Sequence, residues 1–345
     1  MMTTYNQSAE FLPWLTPMAS ELSERLLLAE LATGQKPPVG SFVSKRIKGR
    51  VYWYIQWSDG TRQRQLYFGP DNEVETARRE QMQQNWHNGK VAAHARSQLC
   101  QLVRAGQVLP PPSAPTSRLL VALHNAGLHR SGAVLIGTFA FLAYQGLLGV
   151  KWPAQVAETQ DVDVASEPDV WLIAPEKMQL WPLLQHFGLA PTAPIDQLEA
   201  TTFISPRADM RVDVIAPLRG RKHTTPIDLQ HLGVHGAPLR FIDHLIGDPI
   251  LLSLPLADGV LAVVPQPARF ALHKLILAAY RRREDKRRKD LLQADLLLLL
   301  LAQSQPAVLR EAFAALPKSW RNKVVRALVG LRPEVRLAVD GLFEG

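Results

Sequence analysis

The pattern of apolar positions changes twice in the first third of the chain. Residues 1–36 repeat apolar side chains at three- and four-residue spacing, as in MASELSERLLLAELATGQ, which predicts a mostly helical segment. Residues 37–70 alternate polar residues with aromatic or β-branched ones, and the turn signals KG and SDGT divide them into three short strands. Residues 71–116 predict a helix that Gly89 can interrupt, followed by a proline-rich linker.

The remaining two thirds of the chain first mix both periodicities and then become helical. Residues 117–265 alternate strand runs such as GAVLIG, TQDVDVAS and MRVDVIAP with helical runs such as TFAFLAYQGLLG. Residues 266–345 predict one long helix after Pro267 and then two shorter ones. The fold class that follows is α+β: a mixed sheet flanked by helices, with a small N-terminal β-meander and a C-terminal helical region.

The predicted meander has two unlike faces. Successive strand side chains point to opposite sides, so Tyr52 and Tyr54 share one face, whereas Trp53 and Ile55 share the other. One aromatic face is needed as the core of so small a sheet. The face with the tyrosines is the better candidate for stacking on the bases of RNA or DNA. The same small sheet carries six basic residues: Lys45, Arg46, Lys48, Arg50, Arg62 and Arg64.

Composition narrows the classes of function. A chain of 345 residues is long enough for two or three domains, and its single cysteine, Cys100, excludes an internal disulfide and a cysteine-built metal site. No apolar run has membrane-spanning length, and the N-terminus lacks the pattern of a secretory signal. We therefore expect a cytoplasmic protein without a membrane partner.

The charge balance favours polyanionic partners. The net charge is +8, which suits nucleic acid or nucleotide phosphates, although a basic surface also serves solubility alone. The run RRREDKRRKD, residues 281–290, carries seven basic and three acidic residues. It is either a solvated helix face or a phosphate-binding surface beside an active site, and the sequence does not choose between the two.

Three acids and a glycine turn are the candidate chemistry. Asp161 and Asp163 lie two residues apart on a predicted strand and share a face, and Asp213 lies on a later strand. Gly137 and Thr138 stand at a strand-to-helix turn, where free N–H groups and the helix dipole bind phosphate. Three carboxylates at one end of a sheet can hold one or two Mg²⁺ ions. Taken alone, the glycine is equally a tight turn and the threonine a helix cap.

The pattern GT…DVDV…RVDV resembles the nucleotidyltransferase fold of the polymerase-β type, in which Gly-Ser or Gly-Gly precedes an Asp-x-Asp and a third acid. The runs LIGTFAFLAYQGLLG…TQDVDV and PARFALHKLILAAYRRREDKRRKDLLQA are similar to a less characterised bacterial subgroup of that superfamily. The resemblance covers roughly residues 117–300. It implies Mg²⁺-dependent transfer of a nucleoside monophosphate from an NTP to an acceptor hydroxyl, with release of pyrophosphate.

The resemblance also implies roles for the matching residues. Asp161 and Asp163 would ligate metal, and Asp213 would complete the metal site and help to deprotonate the acceptor hydroxyl. Gly137 and Thr138 would contact the nucleotide phosphates.

Two further matches and two departures complete the resemblance. Lys274 matches a helical lysine that related enzymes aim at the phosphates, and Asp290 sits where relatives often keep a Lys-Asp pair. Thr138 stands where relatives have a smaller residue. The interval from Thr138 to Asp161 is also longer than in minimal members, and we expect its insert, GVKWPAQVAETQ, to form a loop near the site.

The acceptor and the partners stay open at this point. The basic charge and the meander favour a nucleic acid such as tRNA, and the toxins among the superfamily imply a toxin or defence role with a cognate antitoxin or other partner protein. A protein side chain or a small molecule is also compatible as acceptor. The alternative from a different class is a catalytically silent nucleotidyltransferase-like module that binds nucleic acid or a partner protein.

Overall fold

The computed structural model describes residues 8–33, 40–47, 49–59, 62–156, 159–169, 178–192, 199–220 and 224–343. The chain divides into two compact units. The meander unit comprises Glu24–Leu99, and the core unit comprises Met1–Ser23 together with Cys100–Gly345.

The strands of the described residues are β1 (Glu10–Phe11), β2 (Ser41–Ile47), β3 (Arg50–Asp59), β4 (Arg62–Pro70), β5 (Val134–Ile136), β6 (Val150–Lys151), β7 (Asp161–Ala165), β8 (Ala190–Pro191), β9 (Thr202–Ser205), β10 (Met210–Pro217), β11 (Ile227–Leu229), β12 (Val234–Leu239), β13 (Ile250–Leu254) and β14 (Val260–Val264). The helices are α1 (Leu15–Thr33), α2 (Glu73–Ala105), α3 (Pro115–Asn125), α4 (Gly137–Leu148), α5 (Leu180–His186), α6 (Ile242–Ile246), α7 (Pro267–Tyr280), α8 (Glu284–Ser304), α9 (Pro306–Ala314), α10 (Lys318–Ala327) and α11 (Pro333–Val339). Short 3-10 turns cover Leu128–Arg130, Ala154–Val156 and Leu328–Gly330.

The meander unit contains the three predicted strands as an antiparallel sheet in the order β2-β3-β4. One face of the sheet contributes Ile55 and Phe68 to the unit's core, where they are buried together with Trp86 of helix α2. The ring of Phe42 lies 5.2 Å from that of Trp86 in a stacked arrangement. The opposite face carries tyrosines, because Tyr54 alternates with Ile55 along β3. The expected division of the sheet into two unlike faces is confirmed.

Helix α2 runs unbroken through Gly89, so the predicted interruption is wrong. A single glycine inside a helix costs about 1 kcal/mol relative to alanine. A helix of 33 residues rich in Glu, Gln, Arg and Ala tolerates that cost.

The core unit is built on the predicted mixed sheet, in the order β11-β12-β10-β7-β5 with β8 and β9 attached beside β10. Strands β7, β10 and β12 run parallel, whereas β5 is antiparallel to β7. Helices flank this sheet, and the α+β fold class is confirmed.

Alternation along β7 and β10 explains why their acids share a face. Val162 and Val164 on β7 are fully buried, and so are Val212 and Val214 on β10. The residues between these valines point to the opposite face of the sheet. Burial of the valines therefore fixes the direction of the intervening aspartates.

The C-terminal region is helical but differs from the prediction in two details. The expected long helix is two helices, α7 and α8, because the backbone at Arg281 is extended (φ −68°, ψ 124°). The three consecutive arginines at 281–283 form the connection between the two helices. Three helices, α9 to α11, follow within residues 306–343 instead of two.

No single helix in the described part of the chain is long and apolar enough to cross a membrane. Helices α8 and α9 meet the length and composition only as a pair bent by 118°. The leucines of α8 are core residues, since Leu296, Leu297 and Leu298 are buried.

Candidate active site

One pocket of about 380 Å³ in the core unit collects the predicted site residues. It lies where β7 and β10 run side by side and where helices α4, α7 and α8 approach them. All seven predicted residues line it: Gly137, Thr138, Asp161, Asp163, Asp213, Lys274 and Asp290. The sheet register accounts for the acids, because Asp213 lies directly beside Asp163 in the parallel pairing.

Gly137 is the first residue of α4 and has a left-handed backbone, with φ +67°. A Cβ atom built on it would lie 2.1 Å from Oδ2 of Asp163. The carboxylate therefore rests against the glycine backbone, and any side chain at 137 would collide with it. Strand β5 leads directly into this turn, since Ile136 is its last residue and also precedes the helix.

Thr138 does not cap helix α4, because the capping position is Ile136. No side-chain hydrogen bond from the described residues caps this helix start. The first N–H groups of a helix have no partner inside the helix. They are available to a phosphate group beside the acids.

Asp163 is a half-buried carboxyl among like charges. Burial, and next the charge of Asp213, raise its pKa to about 6. Asp161 acts in the same direction, whereas Lys274 and Lys286 lower the pKa. Two acids on adjacent strands are therefore held together at a cost in electrostatic energy, which a bound cation would remove.

Asp213 already has partners within the core unit. Arg211 donates from Nε to Oδ2 at 2.8 Å and from Nη2 to Oδ1 at 2.9 Å, and Thr202 donates its hydroxyl to Oδ1 at 2.6 Å. Arg211 also lies beside Asp161 in the strand register. The hydrogen bonds to Asp213 are the largest cause that raises the pKa of Arg211, and the charges of Asp161 and Asp163 act in the same direction.

The three carboxylates are not arranged to ligate a single ion together as they stand. Among the described residues, the oxygens of Asp161, Asp163 and Asp213 do not all lie within 4.8 Å of one another. The bidentate pair with Arg211 fixes the orientation of Asp213. Joint ligation of one ion requires a rotation of that carboxylate.

A second group of ion-paired side chains, on helices α7 and α8, also lines the pocket. Lys274 on α7 donates to Asp290 on α8 at 2.7 Å, and Arg281 donates to the other oxygen at 3.0 Å. Lys274 and Asp290 are 8% and 4% exposed. Burial on its own would raise the pKa of Asp290, but Lys274 and Arg281 outweigh it and hold that pKa below its usual value.

The basic run at 281–290 divides between the two interpretations left open above. Arg281, Lys286 and Lys289 line the pocket, and burial, with the charge of Lys274, lowers the pKa of Lys289. Other members are solvated, as in the exposed pair between Arg283 and Asp285 at 2.7 Å. Part of the run is therefore available to phosphates and part is an ordinary helix surface.

Sequence reasoning missed three residues that contact the site. Arg211 and Thr202 bind Asp213, and Thr159 lines the pocket beside Asp161. Arg211 could have been predicted from the sequence, because it lies two residues before Asp213 and therefore shares its strand face. Thr202 has none, since its position beside Asp213 depends on the pairing of β9 with β10.

The insert after α4 is only partly a loop. Trp152 is buried, its ring stacks on Phe141 at 4.6 Å, and its Nε1–H donates to the Phe141 carbonyl. Val156 is buried in the short turn that follows. Residues 157–158 lie outside the described residues. The insert reaches the pocket through Thr159.

Comparison with known proteins gives two family matches. A nucleotidyltransferase family model matches residues 114–317, more than half of the chain, and spans every predicted site residue. A model of a domain of unknown function (DUF6788) matches residues 19–79, which include the three strands of the meander. No match was found among curated proteins. The chain therefore belongs to the nucleotidyltransferase family.

Proposed function

We propose that the protein is an Mg²⁺-dependent enzyme that transfers a nucleoside monophosphate from an NTP to an acceptor hydroxyl and releases pyrophosphate. Family membership supports nucleotidyl transfer in general. The observation that carries the proposal is the parallel register of Asp163 beside Asp213, with the Gly137 turn against Asp163 in one pocket.

The acids suit a hard divalent cation. Carboxylate oxygens are the ligands that Mg²⁺ prefers. Burial, and next the negative charge of Asp213, raise the pKa of Asp163, and a bound cation would offset both effects. Asp161 and Asp163 would hold one or two ions, and Asp213 would join them after rotating away from Arg211. Bound there, the metal would neutralise phosphate charge and make the acceptor hydroxyl more acidic.

The remaining pocket residues divide the other tasks. The N–H groups at Gly137 and Thr138 would bind phosphate oxygens, and Lys274, held by Asp290, would offer a fixed positive charge to them. Arg281, Lys286 and Lys289 extend that positive wall. Asp213 would accept the hydroxyl proton of the acceptor.

We propose a nucleic acid, tRNA-like in kind, as the acceptor, with a toxin or defence role and a cognate antitoxin or other partner protein. Support comes from the tyrosine face of the meander unit. The ring centroids of Tyr54 and Tyr67 lie 5.6 Å apart, and Nζ of Lys45 lies 4.7 Å from the Tyr54 ring. Rings and cations on one open sheet face suit stacking on bases and contact with phosphates.

A transfer assay tests the proposal. Purified protein is incubated with labelled NTPs, total RNA and Mg²⁺, and the label is followed into RNA and into protein. We expect transfer by the native chain and none by Asp163→Asn or Asp161→Asn. Asp258→Asn, which changes an acid outside the pocket, serves as the control and should transfer normally. Equal transfer by the Asp161 and native forms contradicts the proposed site.

A second candidate is the catalytically silent module that binds nucleic acid or a partner protein. The pairing of Asp213 with Arg211 and Thr202 favours it, because this acid is satisfied without metal. It requires RNA binding that weakens steeply with salt and that survives replacement of all three acids. Transfer that depends on those acids excludes it.

A further inference from the structure

A second pocket adjoins the candidate active site within the core unit. Its volume is about 790 Å³, and it shares Ala237 and Leu239 with the smaller pocket. Three aromatic residues and a lysine line it, and we call it the aromatic pocket: Phe241, Tyr280, Trp320 and Lys323.

The rings of the aromatic pocket are fixed by packing. The centroids of Phe241 and Trp320 lie 4.3 Å apart with their planes at 76°, and those of Phe241 and Tyr280 lie 5.8 Å apart. Phe241 is 8% exposed, but Tyr280 is 53% exposed. A buried ring therefore supports an open one.

The backbone at Phe241 is strained. Its φ is +73°, a left-handed value that is uncommon for a bulky residue. Such backbone strain concentrates at binding and active sites. Here it places the Phe241 ring next to those of Tyr280 and Trp320, two residues after the end of strand β12.

A cation stands over the same rings. Nζ of Lys323 lies 4.8 Å from the centroid of Tyr280 and 5.2 Å from that of Phe241. Arg240 also lines the pocket. Aromatic faces beside positive charge suit a ligand that has both a flat ring and a negative group.

The sheet order places the aromatic pocket relative to the acids. Passing across the sheet, the Gly137 turn follows β5, Asp163 lies on β7, Asp213 on β10, and Ala237 on β12. Ala237 pairs with Ile215, which shares a strand face with Asp213. The aromatic pocket is therefore on the face of the acids and beyond Asp213 from the phosphate-binding turn.

We propose that the aromatic pocket binds the terminal nucleobase of a nucleic-acid acceptor, with Lys323 contacting the adjacent phosphate. The inference rests on the proposed function, in which Asp213 faces the acceptor hydroxyl. A base stacked on Tyr280 would bring the sugar of the same nucleotide toward Asp213. A protein acceptor offers no nucleobase for such a stack.

Two RNA probes test the proposal with the full chain. Both are the same labelled single strand, but in one the 3′-terminal nucleotide lacks its base and keeps its sugar hydroxyls. Dissociation constants are measured without NTP, and transfer is measured with NTP and Mg²⁺. We expect the native protein to bind the intact end about tenfold more tightly than the baseless end.

Variants locate the effect. Tyr280→Ala should bind both RNAs equally, whereas Tyr280→Phe should keep the difference because the ring remains. Lys323→Gln should weaken both RNAs and reduce the salt dependence of binding. Leu337→Ala, at a residue 76% exposed on α11, is the control and should behave as the native chain.

The outcomes separate this inference from the proposed enzyme. Transfer to RNA with no difference between the two ends overturns the aromatic pocket alone. A difference that Tyr280→Ala removes, without transfer by any form, supports the pocket and contradicts the enzyme. A rise in the KM for NTP in Tyr280→Ala, with RNA binding unchanged, assigns the pocket to the base of the NTP and overturns the proposal.

Discussion

Two carboxylates in the candidate active site are held by cations in contrasting ways. Asp290 lies between Lys274 and Arg281 with its side chain 5% exposed, and its lysine partner is 10% exposed. Asp213 is paired with Arg211, but these side chains are 20% and 46% exposed. Both acids accept short, well-directed hydrogen bonds. They differ in how much water surrounds them.

This difference in burial separates a fixed pair from an exchangeable one. Removing one partner of a buried pair leaves a charge without solvent or counter-ion, so the pair is costly to break. A solvated pair contributes little to stability, and water replaces a lost partner. The Asp290 group is therefore suited to hold Lys274 still, and the Asp213 group to release its carboxylate when a metal or an acceptor arrives.

The largest expected effect comes from breaking the buried pair. Asp290→Ala leaves Lys274 unpaired and should lower the free energy of unfolding by about 3–5 kcal/mol. Denaturant unfolding measures it, with Asp285→Ala on the same helix as the exposed control. The double variant Lys274→Met with Asp290→Leu should recover most of the loss. A single variant as stable as the control shows that the pair is not what holds α7 to α8.

Next in size is the collision at the glycine turn. Gly137→Ala should destabilise by about 1–3 kcal/mol, because its left-handed backbone and the contact with Asp163 both oppose a side chain. It should also abolish transfer by displacing that acid. Gly89→Ala is the matched control: its Cβ would meet no atom within 4 Å, and it should stabilise helix α2. Thermal unfolding of both variants checks the opposite signs.

The fold class and the convergence of the acids followed from local patterns. Alternation of valine with aspartate on two strands predicts both the buried face and the acidic one. The turn at Gly137 was readable because a glycine stood between a strand and a helix. All seven predicted residues line one pocket, and predicting them did not require the structures of the loops between them.

Contacts that depend on strand pairing or on packing could not be predicted from the sequence. The bond from Thr202 to Asp213 requires β9 to lie beside β10, and no local pattern specifies that neighbour. The division of the basic run into pocket and solvent sides depends on the connection at Arg281. The aromatic pocket joins residues from β12, α7 and α10, which the sequence separates widely.

A smaller effect concerns pH in the metal-free protein. The pKa of Asp163 is about 6 in the fold, above its value of about 3.9 in the unfolded chain. The folded state therefore binds more protons between these values, and stability from this group rises as pH falls from 7 to 5, by about 1 kcal/mol. In the presence of a chelator, Asp163→Asn should remove this difference in stability between pH 7 and pH 5. Urea unfolding of both proteins at the two pH values measures it. An unchanged pH dependence means that the carboxyl is not buried among like charges.

The smallest expected change in stability comes from removing Arg211, and this variant compares the Asp213 pair with the Asp290 pair most directly. Arg211→Met should cost less than about 1 kcal/mol, since the pair is solvated. It should nevertheless lower the Mg²⁺ concentration needed for half-maximal thermal stabilisation severalfold, because Asp213 no longer has to leave a guanidinium to bind metal. Arg281→Met, which removes the corresponding arginine from Asp290, is the control and should leave the Mg²⁺ requirement near its native value. Equal Mg²⁺ requirements in all three proteins would mean that Asp213 stays with Arg211 and that the metal, if bound, is held by the other two acids alone.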